Sequence, residues 1–247
     1  MTVSLKLPSL IAHRGASMYA PENTLTALRR ARALGAEWVE LDARLTHDGE
    51  VVIFHDDDLS RVGSRLDKVE DMDFADLHQV DVGSWFNKQF AAERIPTLTQ
   101  YLQCAAELGL GINIDLKGTE ARATSLVQAV AQQLKRDWSS TLPLPLVSSE
   151  SEVCLYAVKQ YLGHCWRGYI LPVWREDWHE RLSTFHCVSL HIHHRELTPE
   201  RVYAVKAAGF NLLAYTVNDP LLARSLLSMG VDALFSDDPL LFQKRVD

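Results

Sequence analysis

Residues 211–236, NLLAYTVNDPLLARSLLSMGVDALFS, contain one complete strand–helix–strand unit of the kind that decides this fold. The apolar runs Asn211–Val217 and Ala233–Ser236 have the length and composition of buried strands. Between them, Asp219 and Pro220 are typical of a helix start, because a capping side chain precedes a residue whose φ suits the first turn. Two apolar strands joined by a helix indicate a parallel sheet.

Outside this unit, the same alternation of apolar runs and helix-length stretches covers nearly the whole sequence. Thr198-Pro199 marks another helix start of this kind, and Pro21–Thr24 with Gly35 delimits the first helix. Repeated units of this type close a parallel sheet, so we predict a (β/α)8 TIM barrel in the α/β class. The eight predicted strands are Leu10–His13, Trp38–Asp42, Gly111–Lys117, Leu144–Ser149, Arg167–Leu171, Cys187–Ile192, Asn211–Val217 and Ala233–Ser236.

One segment after the second predicted strand interrupts the alternation. His47-Asp48-Gly49 is typical of a hairpin that leads into Glu50–His55. Residues 56–96 are rich in polar side chains but contain enough apolar bulk to form a small core of their own. We predict a single barrel domain over residues 1–247, with residues 56–96 as an insertion subdomain above the barrel mouth. Its apolar residues are Val62, Leu66, Phe74, Leu77, Trp85, Phe86 and Phe90, and we assign Trp85 to this core rather than to a site.

Composition and charge narrow the possible functions. With 247 residues, 47% of them hydrophobic, the chain can bury a core of barrel size. A formal net charge of −7 disfavours a nucleic-acid partner, since such binding depends on Lys and Arg that neutralise phosphates. Met1–Ala12 lacks the apolar stretch of a signal peptide, and no later run is long enough to span a bilayer. We expect a soluble cytoplasmic protein without membrane insertion, whose scattered cysteines Cys104, Cys154, Cys165 and Cys187 stay reduced.

Polar residues lie at the C-terminal ends of several predicted strands, which is where TIM barrels place their active sites. Because alternate residues of a strand share a face, Glu40 and Asp42 point to one side, and so do Asp115 and Lys117 on the next strand. Three carboxylates can therefore converge. The strand-end residues that we single out are His13, Arg14, Glu40, Asp42, His55, Asp115 and Lys117.

Converging carboxylates repel one another and are costly to bury, so a divalent cation with oxygen ligands, Mg²⁺ or Ca²⁺, is the simplest explanation for them. His13 and His55 could flank this cation and exchange acid and base roles. Any one of the acids alone could equally be a solvated residue or a helix cap, and a lone histidine more often has a structural role. The convergence of these residues on adjacent strand ends favours the site. For Asp56–Asp58 and Asp237 we favour structural roles, as a solvated turn and as a helix cap.

The order of the motifs resembles the glycerophosphodiester phosphodiesterase family, including its insertion after the second strand. The resemblance extends through the chain, with Ser148-Ser149, Tyr215–Asn218, Val231-Asp232 and Ser236-Asp237 similar to the later motifs of that family. One tripeptide is weak evidence, but the ordered set is highly specific. The N-terminal motifs are His13-Arg14-Gly15, Pro21-Glu22-Asn23-Thr24, Glu40-Leu41-Asp42, Asp48-Gly49, His55-Asp56 and Ile95-Pro96-Thr97-Leu98.

The resemblance implies a metal-dependent phosphodiesterase that releases sn-glycerol 3-phosphate and an alcohol from a small glycerophosphodiester, by way of a cyclic phosphate. It implies that His13 and His55 are the catalytic pair. The metal ligands would be Glu40, Asp42 and Asp115, and the phosphate would be bound by Arg14 and Lys117.

Two positions depart from the family pattern, and two alternative functions stay open. The family usually has Glu where this chain has Asp115, and an aromatic residue where it has Glu150, so metal ligation and the substrate pocket can differ. His191 and His193 form an HxH pair, which metal-dependent hydrolases of the amidohydrolase type also use, although there it ends the first strand. We interpret His191 as a polar residue that lines the barrel mouth. A barrel that binds without catalysing is the other alternative.

Overall fold

The computed structural model describes residues 5–63 and 65–243 of the protein. Within them, short strands and helices alternate along the chain. The strands are β1 Leu10–Ala12, β2 Trp38–Leu45, β3 Val51–Ile53, β4 Gly111–Leu116, β5 Leu146–Ser149, β6 Trp166–Leu171, β7 Ser189–His193, β8 Asn211–Tyr215 and β9 Ala233–Ser236. The helices are α1 Leu25–Ala33, α2 Phe74–Leu77, α3 Leu98–Leu108, α4 Ala123–Asp137, α5 Glu152–Tyr161, α6 Trp178–Thr184, α7 Pro199–Ala207 and α8 Pro220–Met229.

All strands except β3 form a closed parallel barrel. The strand order is β1-β9-β8-β7-β6-β5-β4-β2, and a pairing of β1 with β2 completes the circle. At the closure, Leu10 of β1 is aligned with Leu234 of β9, and Ala12 is aligned with Val39 of β2. The prediction of a TIM barrel is thereby confirmed. β3 lies outside the circle, antiparallel to the end of β2.

Several predicted strand boundaries are shifted by pairing between strands. β2 does not end at Asp42 but continues to Leu45, because Ala43–Leu45 pair with Val51–Ile53 of β3. The hairpin strand, predicted over Glu50–His55, is correspondingly shorter. The other shifts are at strand ends: β1 ends at Ala12, β4 at Leu116 and β8 at Tyr215, β5 begins at Leu146, β6 at Trp166, and β7 covers Ser189–His193.

The predicted helix starts are present, each with its cap. The Thr24 side chain accepts a hydrogen bond from the Ala27 amide at the start of α1. Thr198 and Asp219 cap α7 and α8 in the same way, and a proline follows each of them in the first turn. Gly35 has a φ of 91°, so it reverses the chain after α1 in a conformation that a side chain would strain.

The core consists of a layer between strands and helices and a smaller cluster inside the barrel. The interior cluster joins side chains from strands on opposite sides of the circle, including Ile11, Trp38, Leu213 and Phe235. It packs closely: a Cβ atom at Gly111 would lie 2.3 Å from the Trp38 indole. The barrel is filled below the C-terminal ends of its strands, as in other barrels of this size.

Residues 56–96 pack around an aliphatic cluster that is separate from the barrel core. Its buried side chains include Leu59, Val69, Leu77 and Val80. Four side chains that we expected in this core are outside the cluster, namely Leu66, Trp85, Phe86 and Phe90; Leu66 is 86% exposed and Trp85 is 41% exposed. The Phe86 ring contacts the rings of Trp85 and Phe90 instead. We retain the insertion subdomain as a proposal on the basis of this separate cluster.

No helix within residues 5–63 and 65–243 has the length and apolar character needed to cross a membrane.

Candidate active site

A cavity of about 390 Å³ opens at the C-terminal ends of the barrel strands. All seven residues that the sequence singled out for chemistry line it, so the structure brings the predicted site residues together. The other residues that line it include Glu150, Ile170, Pro172, His193 and Tyr215. The cavity therefore combines many charged or titratable side chains with a few apolar ones such as Ile170 and Pro172.

The tight turn after β1 carries His13 and Arg14 into this cavity. Arg14 has a φ of 55° and Gly15 a φ of 81°, so two successive residues take left-handed conformations. The turn packs against α1, and a Cβ atom at Gly15 would lie 2.8 Å from the carbonyl carbon of Ala27. The Arg14 amide donates a hydrogen bond of 3.0 Å to a Glu40 carboxylate oxygen, which fixes the turn to β2.

Glu40, Asp42 and Asp115 form a cluster of carboxylates at the base of the cavity. One oxygen from each lies within 4.8 Å of the others, and all three residues are buried. Pairing of β2 with β4 aligns Asp42 directly with Asp115. Asn23 donates a hydrogen bond of 2.8 Å to Asp42 and so orients that carboxylate.

The cluster has the electrostatic character of a site for a divalent cation. Burial, reinforced by Asp42 and Asp115, raises the pKa of Glu40 well above its usual range. Burial likewise raises the pKa of Asp115, one oxygen of which has no hydrogen-bond partner among the described residues. Burial alone would raise the pKa of Asp42 too, but the charges of Arg14 and Lys117 hold it at about 2. A hard cation would satisfy the free oxygen and offset the repulsion, so the residues present fit Mg²⁺ or Ca²⁺.

Arg14 and Lys117 lie at the edge of the carboxylate cluster and point into the cavity. The Arg14 guanidinium is 2.7 Å from Glu22 and 3.3 Å from Asp42. The Lys117 ammonium is 2.7 Å from Asp115 and 3.6 Å from Asp42. Burial would lower the pKa of each cation, but the neighbouring carboxylates outweigh it and raise both values. Both groups stay charged and can attract an anionic ligand.

His13 and His55 stand on either side of this charged region, each held by an aspartate. The Nδ1 atom of His13 is 2.7 Å from Asp237, and that of His55 is 2.6 Å from Asp56. Although burial would raise the pKa of Asp237, hydrogen bonds from His13, Asn218 and Ser17 lower it to about 2. An ionised carboxylate can only accept, so Nδ1 carries the proton and leaves Nε2 free for chemistry.

Burial and the positive charges of Arg14 and Lys117 lower the pKa of His55. They outweigh Asp42 and Asp56, which would raise it. His55 is therefore mostly neutral at pH 7, as a proton acceptor must be.

The roles that the sequence suggested for Asp56 and Asp237 were wrong. Asp56 is not a solvated turn residue, because it accepts from His55 and from Arg61. Asp237 is not a helix cap, since the chain described after β9 forms turns over residues 239–243 rather than a helix. Adjacency to His55 is the signal that would have identified Asp56. For Asp237, the signal is its place at the end of β9, the strand that pairs with β1.

The HxH pair on β7 does not form a second metal site with other described residues. His191 is buried, and its Nε2 atom lies 3.0 Å from the Ser189 hydroxyl. Burial lowers the pKa of His191 to about 3. His193 accepts a hydrogen bond from the Arg195 amide. Within the described chain, the carboxylate cluster is the group of residues that could hold a metal ion, and it does not include the HxH pair, which disfavours the amidohydrolase alternative.

Comparison with known proteins finds relatives and solved structures that are similar over nearly the whole chain. A Caldanaerobacter subterraneus glycerophosphodiester phosphodiesterase is 31% identical over 93% of this chain and 94% of its own length. The structure of an Oleispira antarctica phosphodiesterase in complex with the product sn-glycerol 3-phosphate has a TM-score of 0.93 and 40% identity, covering 96% of both chains. A glycerophosphodiester phosphodiesterase from Agrobacterium tumefaciens has a TM-score of 0.78 and 26% identity, covering 96% of this chain and 99% of that one.

A model of the glycerophosphoryl diester phosphodiesterase family matches residues 13–241, a range that includes all seven predicted site residues. This chain belongs to the glycerophosphoryl diester phosphodiesterase family.

Proposed function

We propose that the protein hydrolyses glycerophosphodiesters, such as glycerophosphocholine and glycerophosphoethanolamine, to sn-glycerol 3-phosphate and an alcohol. The observation that carries this proposal is the arrangement at the barrel mouth, where two aspartate-held histidines flank a carboxylate cluster and two cations. The Oleispira antarctica relative was solved with sn-glycerol 3-phosphate, which is the product expected here. The volume of the cavity, about 390 Å³, suits a small phosphodiester.

Glu40, Asp42 and Asp115 would hold one divalent cation, Mg²⁺ or Ca²⁺. When bound, the cation would stabilise negative charge on the phosphoryl oxygens. Arg14 and Lys117 contribute in the same sense, since they lie beside the cluster and remain cationic. The shorter side chain of Asp115, compared with the Glu usual in the family, is compatible with this role because Asp115 faces Asp42 across the β2–β4 pairing.

The two histidines act as a proton acceptor and a proton donor. One of them removes a proton from the glycerol 2-hydroxyl, which attacks the phosphorus and forms a cyclic phosphate. The other protonates the departing oxygen of the alcohol. In the second step a water molecule opens the ring and the roles reverse. Attack by the tethered hydroxyl is favoured because it is already held next to the phosphorus.

Release of sn-glycerol 3-phosphate from glycerophosphocholine tests the proposal. We expect turnover with added Mg²⁺ or Ca²⁺, loss of turnover with a chelator, and recovery when the cation is returned in excess. Absence of turnover under all of these conditions would favour the binding barrel instead. Turnover that survives chelation would contradict the metal requirement while leaving the hydrolase assignment intact.

A 2-deoxy analogue of glycerophosphocholine tests the cyclic phosphate. It retains the phosphodiester and should bind, but it lacks the attacking hydroxyl and should be cleaved very slowly. Comparable turnover of the two compounds would indicate direct attack by water.

A cytoplasmic location is also part of the proposal. The four cysteines are all free and buried, which suits a reducing compartment.

A further inference from the structure

Arg61 lies in the insertion outside the cavity, yet it contacts two acids that support the active site. Its Nε atom donates a hydrogen bond of 2.7 Å to Asp56. Its two terminal nitrogens donate hydrogen bonds of 2.9 and 2.7 Å to the two oxygens of Glu22. The guanidinium carbon lies 5.5 Å from the centre of the Trp85 ring, at a distance suitable for a cation–π contact.

Both acids use another contact to hold a residue that lines the cavity. The oxygen of Asp56 that does not bind Arg61 is 2.6 Å from the His55 Nδ1 atom. The Glu22 oxygen that accepts the 2.7 Å hydrogen bond from Arg61 also accepts one of 2.7 Å from the Arg14 guanidinium. The Arg61 guanidinium is thus connected to His55 through Asp56 and to Arg14 through Glu22.

We propose that Arg61 is a positioning residue that fixes the orientation of His55 through Asp56 and of Arg14 through Glu22. The insertion is coupled to the barrel site through this side chain. Arg61 touches neither the cavity nor the reacting atoms, so its effect is on geometry. The effect on catalysis rests on the proposed function, because it supposes that His55 and Arg14 act on a phosphodiester.

The geometry of these contacts predicts that lysine cannot replace Arg61. A guanidinium presents several donors in one rigid plane, so it binds Asp56 with one edge and Glu22 with another. A lysine ammonium is a single nitrogen and cannot span both acids in that way. Without Arg61, Asp56 would lose the bond that fixes its rotation, and the His55 ring could turn. Glu22 would be bound by Arg14 alone. Its carboxylate would then be less firmly oriented, and so would the Arg14 guanidinium that it binds.

Kinetics of Arg61→Lys and Arg61→Ala test the proposal, with Arg65→Ala as a matched control. Arg65 follows shortly in the same segment and pairs with exposed Asp67 at 2.8 Å, away from the cavity. We expect both Arg61 variants to lower kcat by about 10- to 100-fold, the usual loss when a supporting contact is removed. The melting temperature should change little. Added guanidinium should restore part of the activity of Arg61→Ala, as a purely structural defect would not allow.

A second measurement does not depend on activity. The Nδ1 proton of His55, hydrogen-bonded to Asp56, should give a low-field NMR signal that is absent from His55→Ala. We expect this signal to broaden or disappear in Arg61→Ala and to persist in Arg65→Ala. A persistent signal in Arg61→Ala, or a kcat within twofold of the control, would overturn the proposal. If wild type shows no phosphodiesterase activity, the proposed function fails, and the NMR signal still decides whether Arg61 positions His55.

Discussion

His13 and His55 are each bound by an aspartate, but the two aspartates come from different parts of the chain. The aspartate that holds His13 comes from the last strand of the barrel, and the one that holds His55 is its neighbour in the chain. The His13 side chain is 17% exposed and the His55 side chain 33% exposed. Both side chains line the cavity, and because an aspartate binds each Nδ1 atom, the proposed proton transfer at Nε2 would not break the bond that orients the ring.

Replacement of either histidine by alanine should lower kcat by about two to four orders of magnitude, the usual contribution of positioned acid–base catalysis. The measurement is release of sn-glycerol 3-phosphate at saturating substrate, with circular dichroism to show that each variant is folded. His47→Ala is a matched control, because His47 also binds an aspartate, Asp73 at 2.8 Å, but lies on the surface away from the cavity. Activity close to wild type in a folded variant would remove that histidine from the mechanism.

Glu150→Gln should reduce the preference for substrates with a positively charged alcohol group. Glu150 lines the cavity wall with Tyr215, and no ion pair to it occurs among the described residues. Burial first, and the nearby charge of Glu150 second, raise the pKa of Tyr215, which places the two side chains in one region. A carboxylate beside an aromatic ring favours an ammonium group. Because Glu150 is exposed, we expect an effect of only about two- to fivefold.

The measurement is the ratio of kcat/KM for glycerophosphoethanolamine to that for glycerophosphoglycerol, in wild type and in Glu150→Gln. An equal change for both substrates would show that Glu150 does not distinguish the charge of the alcohol.

At the scale of elements, the sequence was informative wherever a pattern repeats. Alternating strands and helices indicated the barrel, and strand-end polar residues indicated the cavity, because parallel strands end at one edge. Glu22, Arg61 and Asp237 escaped prediction for a different reason. Their contacts join parts of the chain that are far apart in sequence: Arg61 of the insertion binds Glu22, and Asp237 after the closing strand binds His13. Contacts of this kind produce no repeating pattern in the sequence.

The extension of β2 beyond Asp42 could not be predicted either. It depends on pairing with β3, which is set by the tertiary position of the hairpin rather than by local propensity.

The turn between β1 and α1 gives a prediction at this scale. Gly15→Ala should destabilise the protein by about 1–3 kcal/mol, because it combines a left-handed φ with a clash against Ala27. It should also lower activity, since the turn positions His13 and Arg14. Gly35→Ala is the matched control: it has a φ of 91° but nothing within 4 Å of the new Cβ atom. Urea denaturation of both variants, compared with wild type, separates the clash from the backbone strain. Equal losses would contradict the tight packing of the turn.

On the scale of the whole molecule, charge is distributed unevenly. The chain has a net charge of −7, yet the partly buried cations Arg14 and Lys117 lie together at the barrel mouth. Low-dielectric walls strengthen the field of such local charges, so an anionic ligand can be attracted to a protein of the same overall sign. Below this site the barrel interior is mostly apolar, as its cluster of Ile11, Trp38 and Leu213 shows, and His191 is a buried polar group that lines the cavity itself.

His191 should make the stability of the protein sensitive to mild acid. Burial holds its folded-state pKa at about 3, whereas an unfolded histidine titrates near 6.5. Between these values only the unfolded state takes up the proton, so stability is complete above about pH 6.5 and declines as the pH falls. The decline approaches about 1.4 kcal/mol per pH unit.

His191→Gln should therefore lose less stability than wild type between pH 7 and pH 5. The free energy of unfolding is measured in urea with a chelator present, so that cation release does not contribute. His164→Gln is the control, because it removes an imidazole that is exposed rather than buried. Equal pH dependence of wild type and His191→Gln would show that His191 does not limit acid stability.

The bond between His13 and Asp237 joins residues 224 positions apart. During synthesis, the first of them leaves the ribosome long before the second has been made. His13 therefore acquires its oriented tautomer only after the final strand has docked against the first and the circle has closed. A nascent or truncated chain that ends before Asp237 lacks this support even if its other strands are folded. The orientation of His13, and with it the activity proposed above, therefore depends on the strand that closes the barrel.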